Sequence, residues 1–183
     1  HRFIIACGAL PCAAWLDGMS EGEQAIGELL ELLTGKGAVA LNIIPDRNWN
    51  LPPGDTRTLK IRKLHEVARI AADLDLPLNI GTEMNSPGNP LVDDFAAVPM
   101  APLRGAFMAG AYFIYGHTVM QRTCGLGCQS AWAQGHLPAR RQRNRFYEAV
   151  GRLVEPGCEA RARCESFNDI MEPDDILARL GRA

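Results

Sequence analysis

The segment "AVALNII", Ala38 to Ile44, constrains the fold more than any other stretch of this chain. A strand with one wet face alternates apolar and polar residues, whereas a run apolar on both faces must be covered on both, as in a parallel sheet. Parallel neighbours need a crossover, which a helix usually supplies, and the flanking sequence offers one on each side. Upstream, "SEGEQAIGELLELLTGKG" opens with Ser20 and Glu23 at capping-box spacing. Ile26, Leu29, Leu30 and Leu33 then recur at helical intervals until Gly35 and Gly37 close the segment. Downstream, Leu64, Val67, Ala68, Ala71 and Leu74 form the inner stripe of a second helix, and "LPLNIGTE", Leu76 to Glu83, reads as the next strand. "RFIIAC", Arg2 to Cys7, is short, apolar and bounded by Gly8 and Pro11, so it is the expected first strand.

Residues 1–85 therefore read as a βαβαβ unit, and residues 86–183 as a helical region with no further strand. "LVDDFAAVPMAPLRGAFMAGAYFIYGHTVMQR" is helical but interrupted by Pro99 and Pro102. "QSAWAQGHL" reads as a short helix, and "ARRQRNRFYEAVGRLVEP" as a longer one ended by Pro156 and Gly157. "EPDDILARLGRA" makes a terminal helix with Pro173 in its first turn. The expected fold is α/β: a partial (β/α) barrel-like parallel sheet unit followed by a helical C-terminal region. Periodicity leaves a barrel segment and an open doubly wound sheet equally open. The length suits a single domain over 1–183, and a first residue of His1 rather than Met suggests a fragment of a larger chain.

A formal net charge of −2 gives no bulk field toward nucleic acid or an anionic membrane, and no apolar run approaches a bilayer span. The arginine-rich "RRQRNR", Arg140 to Arg145, lacks interleaved aromatics and is expected to be a solvated helix start. Cys7, Cys12, Cys124, Cys128, Cys158 and Cys164 are spaced too loosely for a zinc ribbon and too sparsely for a disulfide scaffold. Free thiols and a cytoplasmic setting are expected. His117, in "YFIYGHTVM", reads as a satisfied core histidine, His65 as exposed, and His136 as a loop residue.

Ligands in parallel α/β folds bind outside the carboxyl ends of strands, and those ends are polar here. The second strand finishes in Asp46, Arg47, Asn48 and Trp49, the third in Thr82, Glu83 and Asn85, and the first leads toward Trp15 and Asp17. A carboxylate at each end suits a hard cation or an oxygen-rich substrate. The competing reading is that Asp and Asn at strand ends simply cap turns and helices.

At these same strand ends the chain resembles the C-terminal part of PHP-domain proteins, a family of metal-dependent phosphoesterase-like distorted barrels, and within them a poorly characterised bacterial branch. The resemblance rests on "AAWLDG" with "GEQ", "LNIIPDRNWN", and "LPLNIGTEMNSPG" with "LVDDF". It implies a metal-dependent hydrolase or phosphoesterase, with Glu83 and Asp46 in catalytic roles and Glu83 also ligating a divalent metal in the full-length protein. Arg47, Asn48, Asn85, Trp49, Trp15 and Asp17 would then surround the substrate, with Arg47 on an anionic group such as phosphate. The family's metal-binding Asp-x-His motif reads Glu83-Met84-Asn85 here, and Trp15 stands where an upstream histidine is expected. The isolated chain is therefore expected to be inactive. Two alternatives stand beside the hydrolase: a non-catalytic small-molecule binding module on a degenerate PHP-like barrel, and a sugar-processing barrel enzyme with Trp49 stacked on a sugar ring. The expected partners are a small-molecule, phosphate-containing ligand and a second copy at an exposed sheet edge or the missing N-terminal region, with neither nucleic acid nor membrane.

Overall fold

The computed structural model describes residues 1–84, 87, 91–157 and 162–182. The chain packs as two compact units, one of Pro11–Met108 and one of His1–Leu10 with Ala109–Ala183.

The first unit holds a small open sheet of three parallel strands in the order β1-β2-β3. The strands are β1 (Cys12–Trp15), β2 (Ala40–Ile43) and β3 (Leu78–Ile80). Their register aligns Ala14 with Asn42 and Asn42 with Asn79, so the parallel pairing expected of "AVALNII" and "LPLNIGT" is present. The first crossover carries α2 (Glu21–Gln24) and α3 (Ile26–Gly35); the second carries α4 (Asp46–Trp49) and α5 (Asp55–Asp73). The capping pair anticipated at Ser20 and Glu23 forms, but the helix breaks at Ala25 into two pieces.

"RFIIAC" is not the first strand. Arg2–Ala6 is the short helix α1, belongs to the other unit and buries none of its residues, with Phe3 79% exposed. The first strand is "CAAW", whose small residues carry no β-branched signal. Trp15 fixes its facing: Ala13 and Trp15 are buried in the core, while Cys12 and Ala14 are exposed. The sheet is thus not apolar on both faces. On the second face Asn79 donates to the Asn42 side chain across the strands at 2.7 Å. The core lies on the other face, where Trp15, Leu41, Ile43 and Leu78 meet Leu64, Val67 and Ala71 of α5. Met100, Leu103 and Phe107 complete it, so the chain past Asn85 still packs with the sheet.

The second unit is helical. Besides α1 it contains α6 (Arg104–Cys124, from Ala109 onward), α7 (Ala131–His136), α8 (Arg140–Leu153) and α9 (Pro173–Leu180). Helix α6 starts only after Pro102, which sits in the 3-10 turn Ala101–Leu103. Pro173 occupies the first turn of α9, where a missing N–H is harmless. Helices α6 and α8 cross closely at Gly116 and Gly151: a Cβ on either would overlap the backbone of Tyr147 or Tyr112. Phe113, Met120, Trp132, Phe146, Tyr147 and Val150 form the core. The Tyr147 hydroxyl donates to Leu126 O at 2.6 Å, and the Trp132 indole to Met171 O at 2.9 Å. Among the described residues there is no strand beyond Ile80, and no helix is long and apolar enough to cross a membrane.

Candidate functional site: the carboxyl ends of the parallel strands

Parallel strands deliver their carboxyl ends to one edge of the sheet, so the residues following β1, β2 and β3 gather there. Two ion pairs organise that edge. Arg47 Nη1 lies 2.8 Å from Glu83 Oε1, linking the exit of β2 to the exit of β3. Lys60 Nζ, on α5, lies 2.8 Å from Asp17 Oδ2, linking that helix to the exit of β1. Burial alone would raise the Asp17 carboxyl. The Lys60 hydrogen bond, the Met19 N–H and the charges of Lys60 and Arg47 outweigh it and hold the group below its ordinary value. Arg47 thus acts electrostatically on Asp17 while bonding to Glu83.

The remaining predicted residues divide between the rim and its support. Asp46 opens α4 and accepts from the Asn50 side chain at 2.8 Å, a local turn contact of the bland kind. Asn48 is fully buried; its Nδ2 donates to Leu16 O at 2.9 Å and Ile44 O at 3.1 Å, tying the exits of β1 and β2 together. Its Oδ1 is buried without a partner among the described residues. Trp49 packs against the sheet core and donates its indole N–H to Asp93 Oδ1 at 2.8 Å. Trp15 is 1% exposed and belongs to the core rather than to the rim. Asn85 lies outside the described residues, so its convergence with Glu83 is not part of this geometry.

Three supporting residues escaped the sequence reading. Lys60 is one cation among several on an amphipathic helix, with nothing in its spacing to mark Asp17 as its partner. Asp93 is buried and holds Trp49; burial, and then the nearby charge of Asp46, raise its carboxyl above the ordinary value although the Trp49 hydrogen bond lowers it. Its Oδ2 has no partner among the described residues. Glu23 was legible only as half of a capping box, yet its buried carboxylate also accepts the N–H of Leu16 at 2.6 Å and of Gly18 at 3.1 Å. It shapes the turn that presents Asp17.

Elsewhere, His117 is the satisfied core histidine anticipated from its apolar neighbourhood. Its Nδ1 accepts from the Cys128 N–H at 3.0 Å, which leaves Nε2 to donate to Gly8 O at 3.1 Å. His65 is half-buried rather than exposed, 2.8 Å from Pro99 O. His136 ends α7 rather than lying in a loop, and its ring packs on Trp132. The arginine-rich segment begins α8 as expected, and Arg143 bonds the carbonyls of Leu137 and Pro138. Cys7, Cys12, Cys124, Cys128 and Cys164 are free, and Cys158 lies outside the described residues.

No family model, curated protein or solved structure matches this chain. The donor set can still be tested against a divalent metal. Among the described residues no group of three or more His, Cys, Asp or Glu converges to hold one. Glu83 Oε1 is engaged by Arg47 and Asp46 by Asn50, so the described carboxylates do not converge as a metal centre. What the rim offers instead is two cation–carboxylate pairs, Arg47 with Glu83 and Lys60 with Asp17.

Proposed function

We propose that this chain is a small-molecule binding module on a PHP-like α/β unit, taking an oxygen-rich, phosphate-bearing ligand at the carboxyl ends of its strands. The observation that carries the reading is the ion pair of Arg47 with Glu83, seated between the exits of β2 and β3 with Asp17 and Lys60 beside it. A guanidinium fork is suited to two oxygens of a phosphate. Glu83 holds one arm of that fork, Nη1, so it competes with the phosphate and sets a threshold for binding. In this reading Asp17 and Asp46, which follow β1 and β2, accept ligand hydroxyls, and Trp49 is held by its hydrogen bond to Asp93.

Titration with inorganic phosphate and with glycerol phosphate, followed by amide and arginine side-chain NMR shifts, tests this. Arg47→Ala should abolish the response, whereas Glu83→Ala should strengthen binding several-fold by releasing the guanidinium. Unchanged affinity in both variants would refute the assignment.

Metal-dependent phosphoester hydrolysis is the second reading, favoured by the succession of Asp17, Asp46 and Glu83, one carboxylate behind each parallel strand. It requires ligands beyond the described residues, since those present do not converge on a metal. The two readings separate at Glu83: in the hydrolase, Glu83→Ala lowers turnover of a phosphate monoester and does not tighten phosphate binding.

A further inference from the structure

A concave site lies in the helical unit. Tyr115, Thr118, Val119 and Arg122 recur at helical spacing along α6 and line a cavity of about 570 Å³, with Thr123 and Pro156 also on its wall. That volume is in the range of small-molecule sites. The polar capacity of the lining is unevenly spread. The hydroxyls of Thr118 and Thr123 donate to Ile114 O and Val119 O of their own helix, so they offer a ligand mainly methyl surface and a lone pair. Arg122 is exposed and has no ion-pair partner among the described residues. Other arginines of this unit are engaged: Arg152 with Glu148, Arg143 with two carbonyls, and Arg163 with Leu180 O. Tyr115 is half-buried, and its hydroxyl likewise has no hydrogen-bond partner among the described residues. Burial, helped by the neighbouring Cys164, pushes its phenol above the ordinary value, so it remains a neutral donor.

Among the described residues, one unpaired guanidinium stands at one end of an otherwise apolar and hydroxyl-lined stripe, which selects for an anion with an apolar body. A planar carboxylate matches the guanidinium fork. Arg122 and Tyr115 are separated by about two helical turns, roughly 10 Å at 1.5 Å per residue, so the complementary ligand is elongated. We infer that this cavity binds a small amphipathic carboxylate, its head on Arg122 and its chain lying over Val119 and Thr118 toward Tyr115.

The probes are octanoate, acetate and octanol, titrated into the full chain and followed by amide NMR shifts at residues 115–123. Octanoate is expected to bind at least tenfold more tightly than acetate, which lacks the chain, and than octanol, which lacks the charge. Arg122→Ala should weaken octanoate at least tenfold and leave octanol unchanged, while Arg122→Lys retains part of the affinity. Tyr115→Ala should narrow the gap between octanoate and acetate. Equal binding of octanoate by the protein and its Arg122→Ala variant would overturn the inference. So would equal binding of octanoate and acetate, or no response to octanoate at millimolar concentration.

Discussion

Asp93 is a carboxylate that the fold makes costly to ionise. It is 5% exposed, has one oxygen on the Trp49 indole and leaves the other without a partner among the described residues. Its raised value means that the folded state holds its proton more firmly than the unfolded one. The cost is therefore absent below the ordinary carboxyl value near 3.8 and grows as pH rises through the folded value. Asp93→Asn keeps an acceptor for Trp49 and removes the charge. Relative to the parent protein it should therefore be more stable at pH 7 than near pH 3, as measured by urea unfolding at the two pH values. His117 carries the opposite sign. Burial lowers its value despite the Gly8 hydrogen bond, so its contribution is present above the ordinary 6.5 and lost as pH falls below it. His117→Gln, which does not titrate, should flatten the stability profile between pH 8 and pH 5. Identical slopes in the two proteins would exclude this role. The apolar run around His117 announced its burial, but its two partners, Gly8 and Cys128, come from other parts of the chain and had no signature at the histidine.

At the level of elements, the closest packing in the helical unit depends on two residues without side chains. Gly116 of α6 and Gly151 of α8 each face the partner helix's backbone, where a methyl group has no room. Gly116→Ala and Gly151→Ala should each cost about 3 kcal/mol or more, because the obstacle is backbone rather than a side chain that can swing away. Gly135, on α7, has open space around its missing Cβ. There the same substitution should gain up to about 1 kcal/mol from helix propensity. Thermal unfolding of the three variants checks both signs at once. Nothing in sequence distinguishes these glycines, since all three lie within helical patterns. The strands show the same division. The crossover pattern announced β2 and β3, while β1 went unrecognised because Cys12, Ala13 and Ala14 lack strand propensity. "RFIIAC" possesses that propensity, but its own unit has no strand among the described residues, and Arg2–Ala6 forms a short helix.

For the molecule as a whole, the sheet ends in two edge strands, β1 and β3, each paired on one side only among the described residues. An edge without charge, proline or bulge is a template for another strand, and β1 carries only Cys, Ala and Trp. Light scattering should therefore reveal concentration-dependent association. Ala14→Lys, at an exposed position of that edge, should suppress it with little loss of stability, as its side chain enters solvent. A single monomeric species at every concentration, for both proteins, would rule out the edge as a contact.

What the sequence determined by itself was periodic or local: the helical stripes, the alternation of helix and strand, the Ser20–Glu23 cap, the proline and glycine boundaries, and the polar character of the strand ends. These follow from neighbours a few residues apart, whose geometry is fixed once helix or strand is chosen. Tertiary structure decided which residues meet. Arg47 reaches Glu83, Lys60 reaches Asp17 and Trp49 reaches Asp93 only because parallel strands and their crossovers bring distant segments to one edge. It also sent Trp15 into the core, since strand facing is set by what the opposite side of the sheet must cover, a property no single segment contains.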